Sequence, residues 1–120
     1  MSESKNLKAI RRVWRAYESE GLKAGAEALL EIAAPDVAIA PFTAQGRILS
    51  GHDEYRAYID SSVADDRTRF EARAHRFEEE GDTIVVAGVI RLFEAGGFSE
   101  TTVRWEYEFR DGMLVRARAA

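Results

Sequence analysis

The stretch from Thr101 to Arg110 alternates with a period of two: Val103, Trp105, Tyr107 and Phe109 fall on one side, Thr102, Arg104, Glu106, Glu108 and Arg110 on the other. Only an extended strand separates residues in this way, because its successive side chains point to opposite faces of a sheet. One face is then charged and wet, the other aromatic, and the aromatic face needs cover from another part of the chain. Asp111-Gly112 follows directly as a hairpin turn signal, and Met113 to Ala119 supplies the return strand. Upstream, Phe70, Ala72 and Ala74 alternate with Glu71, Arg73 and His75 in a strand that closes at Glu80-Gly81-Asp82. Thr83 to Glu94 is the next strand, and Gly96-Gly97 turns the chain again.

The cover lies in the first half. Leu7, Ile10, Val13, Trp14 and Tyr17 recur at steps of three and four, with Lys8, Arg11, Arg12 and Arg15 opposite, the pattern of an amphipathic helix that Gly21 can end. Ala24 to Ala34 reads as a second helix, stopped by Pro35 because proline disfavours helix at the residue before it. Asp36 to Pro41 reads as a strand, and Thr43-Ala44-Gln45-Gly46 as a loop. Gly51-His52-Asp53-Glu54 opens a third helix, with Tyr55, Tyr58, Ile59 and Ser62 inward, running to about Asp66. Three helices with one strand among them, then four antiparallel strands, predict an α+β fold with the helices on one face of a curved sheet and a pocket between the layers.

The 120 residues contain two prolines and no linker, so a single domain over residues 1–120 is expected. Seventeen basic against 21 acidic side chains give a net charge of −4 without a sustained basic patch, which argues against nucleic acid as a partner. No apolar run approaches the roughly 18 residues of a membrane span, and a cytoplasmic location is the default. The lack of cysteine removes disulfides, thiolate nucleophiles and cysteine-ligated metals. The two histidines, His52 and His75, form no metal-ligand spacing with their acidic neighbours, so no metal is expected.

Several segments, in this order and spacing, resemble a known family: the helix Ile10 to Tyr17 before Gly21, the run Asp36-Val37-Ala38-Ile39-Ala40-Pro41-Phe42, the opening Gly51-His52-Asp53-Glu54-Tyr55, and Trp105 to Gly112. They are similar to the nuclear transport factor 2-like superfamily, in its SnoaL-like and ketosteroid-isomerase-like branch. The resemblance spans nearly the whole chain. It implies a cone-shaped curved antiparallel sheet wrapped around three N-terminal helices with an internal pocket, commonly no cofactor, and a homodimer through the outer sheet face. Mapped onto the isomerase pattern, the proton-abstracting carboxylate falls at Ala40 and the two oxyanion donors at Trp14 and Trp105. Alanine takes no proton and an indole only donates, so steroid isomerisation is not expected.

The candidate ligand-binding residues are Trp14, Tyr17, Phe42, Tyr55 and Tyr58 from the first half, with Arg91, Phe93, Trp105 and Tyr107 from the strands. Rings set beside Ala72, Ala74, Ala87, Ala117 and Ala119 suggest a cavity for a flat compound, although ordinary core packing uses the same residues. Arg91 shares the alternation Ala87, Val89, Arg91, Phe93, read here as inward, and a guanidinium there would seek a carboxylate or carbonyl. The catalytic residue is unassigned, with Arg91, Tyr58 and His75 as weak candidates. Strand parity puts His75 outside, while Arg76 turns outward only with a bulge before Gly81. The expected function is that of a small-molecule pocket protein, either a cofactor-free isomerase, cyclase or dehydratase for an apolar carbonyl compound, or a non-catalytic binding or dimerisation module. A cavity of roughly 300 Å³ holding the Arg91 head group would favour the pocket reading.

Overall fold

A computed structural model of the chain describes residues 3–44, 46–64, 69–94 and 96–120. The Ser4 hydroxyl accepts from the Leu7 amide at 3.0 Å and starts α1, Lys5–Glu20. Gly21, at φ 102°, closes α1 through its N–H to the Tyr17 carbonyl and at once opens α2, Leu22–Glu31. The second helix therefore begins and ends earlier than the expected Ala24 to Ala34. Ala33 and Ala34 belong to β1, Ala33–Ala40, because Ala33 pairs with Leu114 and the Ile32 carbonyl accepts from the Leu114 amide. Pro35 sits where the pairing register shifts between Ala33 and Ala38, a place where a strand tolerates a missing donor.

A 3-10 turn at Phe42–Ala44 and a two-residue strand, β2, Leu49–Ser50, lead into α3, Gly51–Ala64. Neither short element was expected. The anticipated helix end at Asp66, the loop residue Gln45 and the side chain of Phe70 lie outside the described residues. Four long strands complete the chain: β3 Arg69–Glu80, β4 Thr83–Glu94, β5 Gly97–Arg110 and β6 Met113–Ala119. Asp111 at φ 52° and Gly112 at φ 80° form the tight hairpin between the last two.

The result is three helices on a six-stranded, curved and unclosed sheet in the order β2-β1-β6-β5-β4-β3. The sheet is mixed rather than wholly antiparallel, since β1 runs parallel to β6. Its bend has local causes. His75 is an extra residue in β3 between the pairs Ala74–Gly88 and Arg76–Ala87, and Val115 is an extra residue in β6 opposite Glu108 and Phe109. At the first bulge the strands approach so closely that a Cβ on Gly88 would lie 1.9 Å from the Arg73 carbonyl oxygen.

The core fills the concave side. Ile10 from α1, Leu49 from β2, Ile84 from β4 and Leu114 from β6 are fully buried, each contributing roughly 1.5–3 kcal/mol by leaving water. The convex side carries ion pairs: Arg118 and Arg104 to Glu106, Arg116 to Glu108, and Arg76 to Glu78. These pairs are largely solvated and stabilise little individually. Among the described residues no helix is long and apolar enough to cross a membrane.

Candidate functional site

A cavity of about 140 Å³ lies between the helices and the concave face of the sheet. Trp14 and Tyr17 reach it from α1, Tyr55 and Tyr58 from α3, and Trp105 and Tyr107 from β5. Ala40, Pro41 and Phe42 line it from the end of β1 and the turn that follows. Ala72, Ala117 and Ala119 leave the space that the rings enclose. The volume is close to that of cavities of about 150 Å³ that hold benzene, and about half of what was anticipated.

Three of the rings have contacts that hold them in place. Trp14 meets Trp105 edge to face at 4.8 Å and Tyr17 at 5.9 Å. The Tyr17 hydroxyl accepts from the Ala72 amide at 2.9 Å. Because β3 is an edge strand, that amide has no sheet partner on its open side, and Tyr17 ties the curled edge down onto α1. Its phenol is raised above the ordinary value of 10.0, chiefly by burial and partly offset by the Ala72 hydrogen bond. Burial pushes Tyr55 up to about 12. It also raises Tyr107 strongly, the neighbouring Trp14 indole working in the opposite direction. Trp14 and Tyr107 are near one another yet fall short of hydrogen-bond geometry, and the Trp14 N–H is the one buried polar side-chain atom without a partner among the described residues.

Arg91 and Phe93 are corrections. Ile84, Val86 and Ile90 fill the concave face of β4, so the interleaved set Ala87, Val89, Arg91 and Phe93 points to the convex side. Arg91 donates to Glu100 at 2.7 Å, which raises its pKa, and Phe93 is 38% exposed against Phe98. Ile84-Val85-Val86 is apolar at every position, so sequence alternation gave no phase to this strand. The bulge at His75 leaves that residue exposed and turns Arg76 outward to Glu78, away from the cavity. Of the three weak catalytic candidates, Tyr58 alone lines the cavity. The half-buried His52 places Nε2 at 3.3 and 3.2 Å from the carbonyls of Ala33 and Ala34, where it donates and fastens α3 to β1.

Sequence reasoning missed the aliphatic part of the wall, including Leu29, Ile39, Ile59 and Ile90, which carries no signal distinct from core. It also missed Arg118 at the rim, whose guanidinium turns to Glu106 at 2.6 and 2.8 Å. Among the described lining residues there is no carboxylate and no histidine, and no described cluster of acidic or histidine side chains could hold a metal ion. A second hollow, of about 280 Å³, lies on the convex face between Arg76, Glu78 and Arg104. It is larger, but its charged walls already pair with one another or with Glu106, and the aromatic cavity is the better candidate.

The family model of the SnoaL-like domain matches residues 10–117. No curated protein matches the chain. Among solved structures, an NTF2-like protein of unknown function from Burkholderia pseudomallei superposes with a TM-score of 0.80 at 22% identity, over 98% of this chain and 91% of that one. TerC, co-crystallised with polyporic acid, gives 0.73 at 21% identity over 98% and 91%. A putative SnoaL-like polyketide cyclase from a Jannaschia species gives 0.71 at 15% identity over 100% and 90%. At these identities the likeness speaks for the fold, while the domain match extends over almost the whole chain, from α1 through β6. The chain belongs to the SnoaL-like domain family.

Proposed function

We propose that this protein takes up a compact, largely apolar ring compound in the cavity between α1, α3 and the sheet. The observation that carries the reading is the wall itself: rings from Trp14, Tyr55, Trp105 and Tyr107 around alanine-lined space, with neutral donors and no described carboxylate or histidine. The catalytic alternative, a cofactor-free isomerase, cyclase or dehydratase, needs a group that accepts a proton, and Ala40 stands where the isomerase branch places one. That favours holding the ligand over moving its protons. The co-crystallisation of TerC with polyporic acid and the description of the Jannaschia protein as a putative polyketide cyclase agree with a small-molecule pocket in this fold.

Thermal-shift and calorimetric titration with neutral one-ring compounds tests the reading, since a ligand that binds only the folded state raises its apparent stability. Such compounds are expected to raise Tm, and Ala117→Phe, which fills the cavity, is expected to abolish the rise in a protein that still folds. No rise with any of them, or a rise that survives Ala117→Phe, overturns it. We further propose that two copies pair through the convex sheet face, whose Arg104, Glu106, Glu108 and Arg116 can exchange partners between copies. Light scattering should return a dimer mass that falls with added salt, and a monomer mass at every concentration would reject it.

A further inference from the structure

One donor in the wall is unspent. Trp14 is 7% exposed, lines the cavity, and its indole N–H has no partner among the described residues. An indole N–H donates and never accepts, so whatever satisfies it must be an acceptor. Tyr107, whose phenol feels the Trp14 indole, is only 6% exposed and lines the same cavity. A phenol does both: its oxygen accepts while its proton is donated onward. Trp14 can therefore fix the direction of the pair, since a phenolic oxygen that accepts from the indole keeps its own proton for a third group.

We infer that Trp14 and Tyr107 form a directed donor relay, indole N–H to phenolic oxygen and phenolic O–H to the ligand, which selects ring compounds bearing a neutral acceptor such as a carbonyl oxygen. The inference rests on the pocket reading above and deepens it. The two groups fall short of hydrogen-bond geometry, and the ligand's acceptor draws the phenol into line and closes the first link. Hydrogen bonds in series polarise one another, so the indole strengthens the phenol as a donor without touching the ligand. Trp14 is thus a positioning residue and Tyr107 the contact. A carboxylate is disfavoured because the one cationic side chain at the described lining, Arg118, is turned to Glu106, and an anion would lose its water to neutral donors alone.

Acetophenone and α-methylstyrene share a planar shape and differ in carrying an oxygen or a methylene at the same place. The full chain is expected to bind acetophenone at least tenfold tighter, with the bound carbonyl stretch below its position in hydrocarbon solvent. Tyr107→Phe should erase both the preference and the shift. Trp14→Phe, which keeps a ring but removes the N–H, should leave a smaller preference and an intermediate stretch, while Arg91→Ala, on the convex face away from the cavity, leaves both intact. Equal affinities, a preference that survives Tyr107→Phe, or tighter binding of benzoate than of acetophenone overturns the relay while leaving the pocket standing. Binding of neither neutral compound overturns the pocket reading and the relay with it. Should Trp14→Phe not fold, the Trp14 indole proton resonance in the unmutated chain decides its part: acetophenone should move it downfield relative to α-methylstyrene, and identical positions reject the first link.

Discussion

Raising the pH measures how dry the cavity is. Tyr55 is held up to about 12 against an ordinary 10.0 by burial, and Tyr17 and Tyr107 shift in the same direction. A phenol with a raised folded-state pKa keeps its proton more tightly in the native protein than in the unfolded chain. Its contribution is therefore complete below pH 10 and is lost as pH climbs from 10 through the folded value. At about 1.4 kcal/mol per unit, the shift of Tyr55 alone amounts to roughly 2.7 kcal/mol, a large part of the 5–15 kcal/mol typical of a whole domain. Urea unfolding at a series of pH values, read beside tyrosinate absorbance, should show stability falling between pH 10 and 12 and the cavity tyrosines ionising together with unfolding. Lysines titrate in the same window, so the decisive quantity is the difference from Tyr55→Phe, whose curve should be flatter by about that amount. Tyrosines that all ionise near pH 10 in a folded protein, or identical slopes for the two chains, would refute a water-poor wall.

Three other outcomes follow from single contacts. Tyr17→Phe leaves the Ala72 amide without its acceptor and should cost about 1–2 kcal/mol in urea unfolding, with faster hydrogen exchange at Ala72; unchanged exchange would dismiss the tie. Gly88→Ala sets a methyl group 1.9 Å from the Arg73 carbonyl, where backbone has to move, and should cost at least about 3 kcal/mol; a loss below about 1 kcal/mol would show that the strands are not so close there. Arg91→Ala removes an exposed pair with Glu100 and should change neither the urea midpoint nor ligand affinity in calorimetry; lost affinity would bring that guanidinium back into the site.

Where the sequence was legible, two signals agreed. In β5 the alternation of ring and charge leaves one possible phase, and Trp105 and Tyr107 face the cavity while Glu106 and Glu108 meet arginines outside. In α1 the three- and four-residue steps placed Trp14 and Tyr17 inward in the same way. β4 gave no such contrast. Its apolar residues cover both faces at Ile84-Val85-Val86, so nothing in the sequence fixes which face carries Arg91. The facing of Arg76 hung on one inserted residue, His75, whose bulge depends on pairing with a strand eight or more residues later. The open N–H of Trp14 had no sequence signal at all, because it arises from where β5 sets Tyr107 relative to α1.

β6 is the latest strand in the sequence and yet lies inside the sheet, between β1 and β5. Strands β3 to β6 zip together through short hairpins, whereas β1 reaches β6 across about 80 residues, a contact that closes late because a long loop must be ordered first. Ile39 and Ala117, on opposite sides of that seam, both line the cavity. We expect this seam to dock last, so that the cavity is not yet formed in the transition state that precedes it. A ligand seated there has nothing to hold before the barrier: it leaves the folding rate alone and slows unfolding, lengthening the life of each folded molecule instead of hastening its birth.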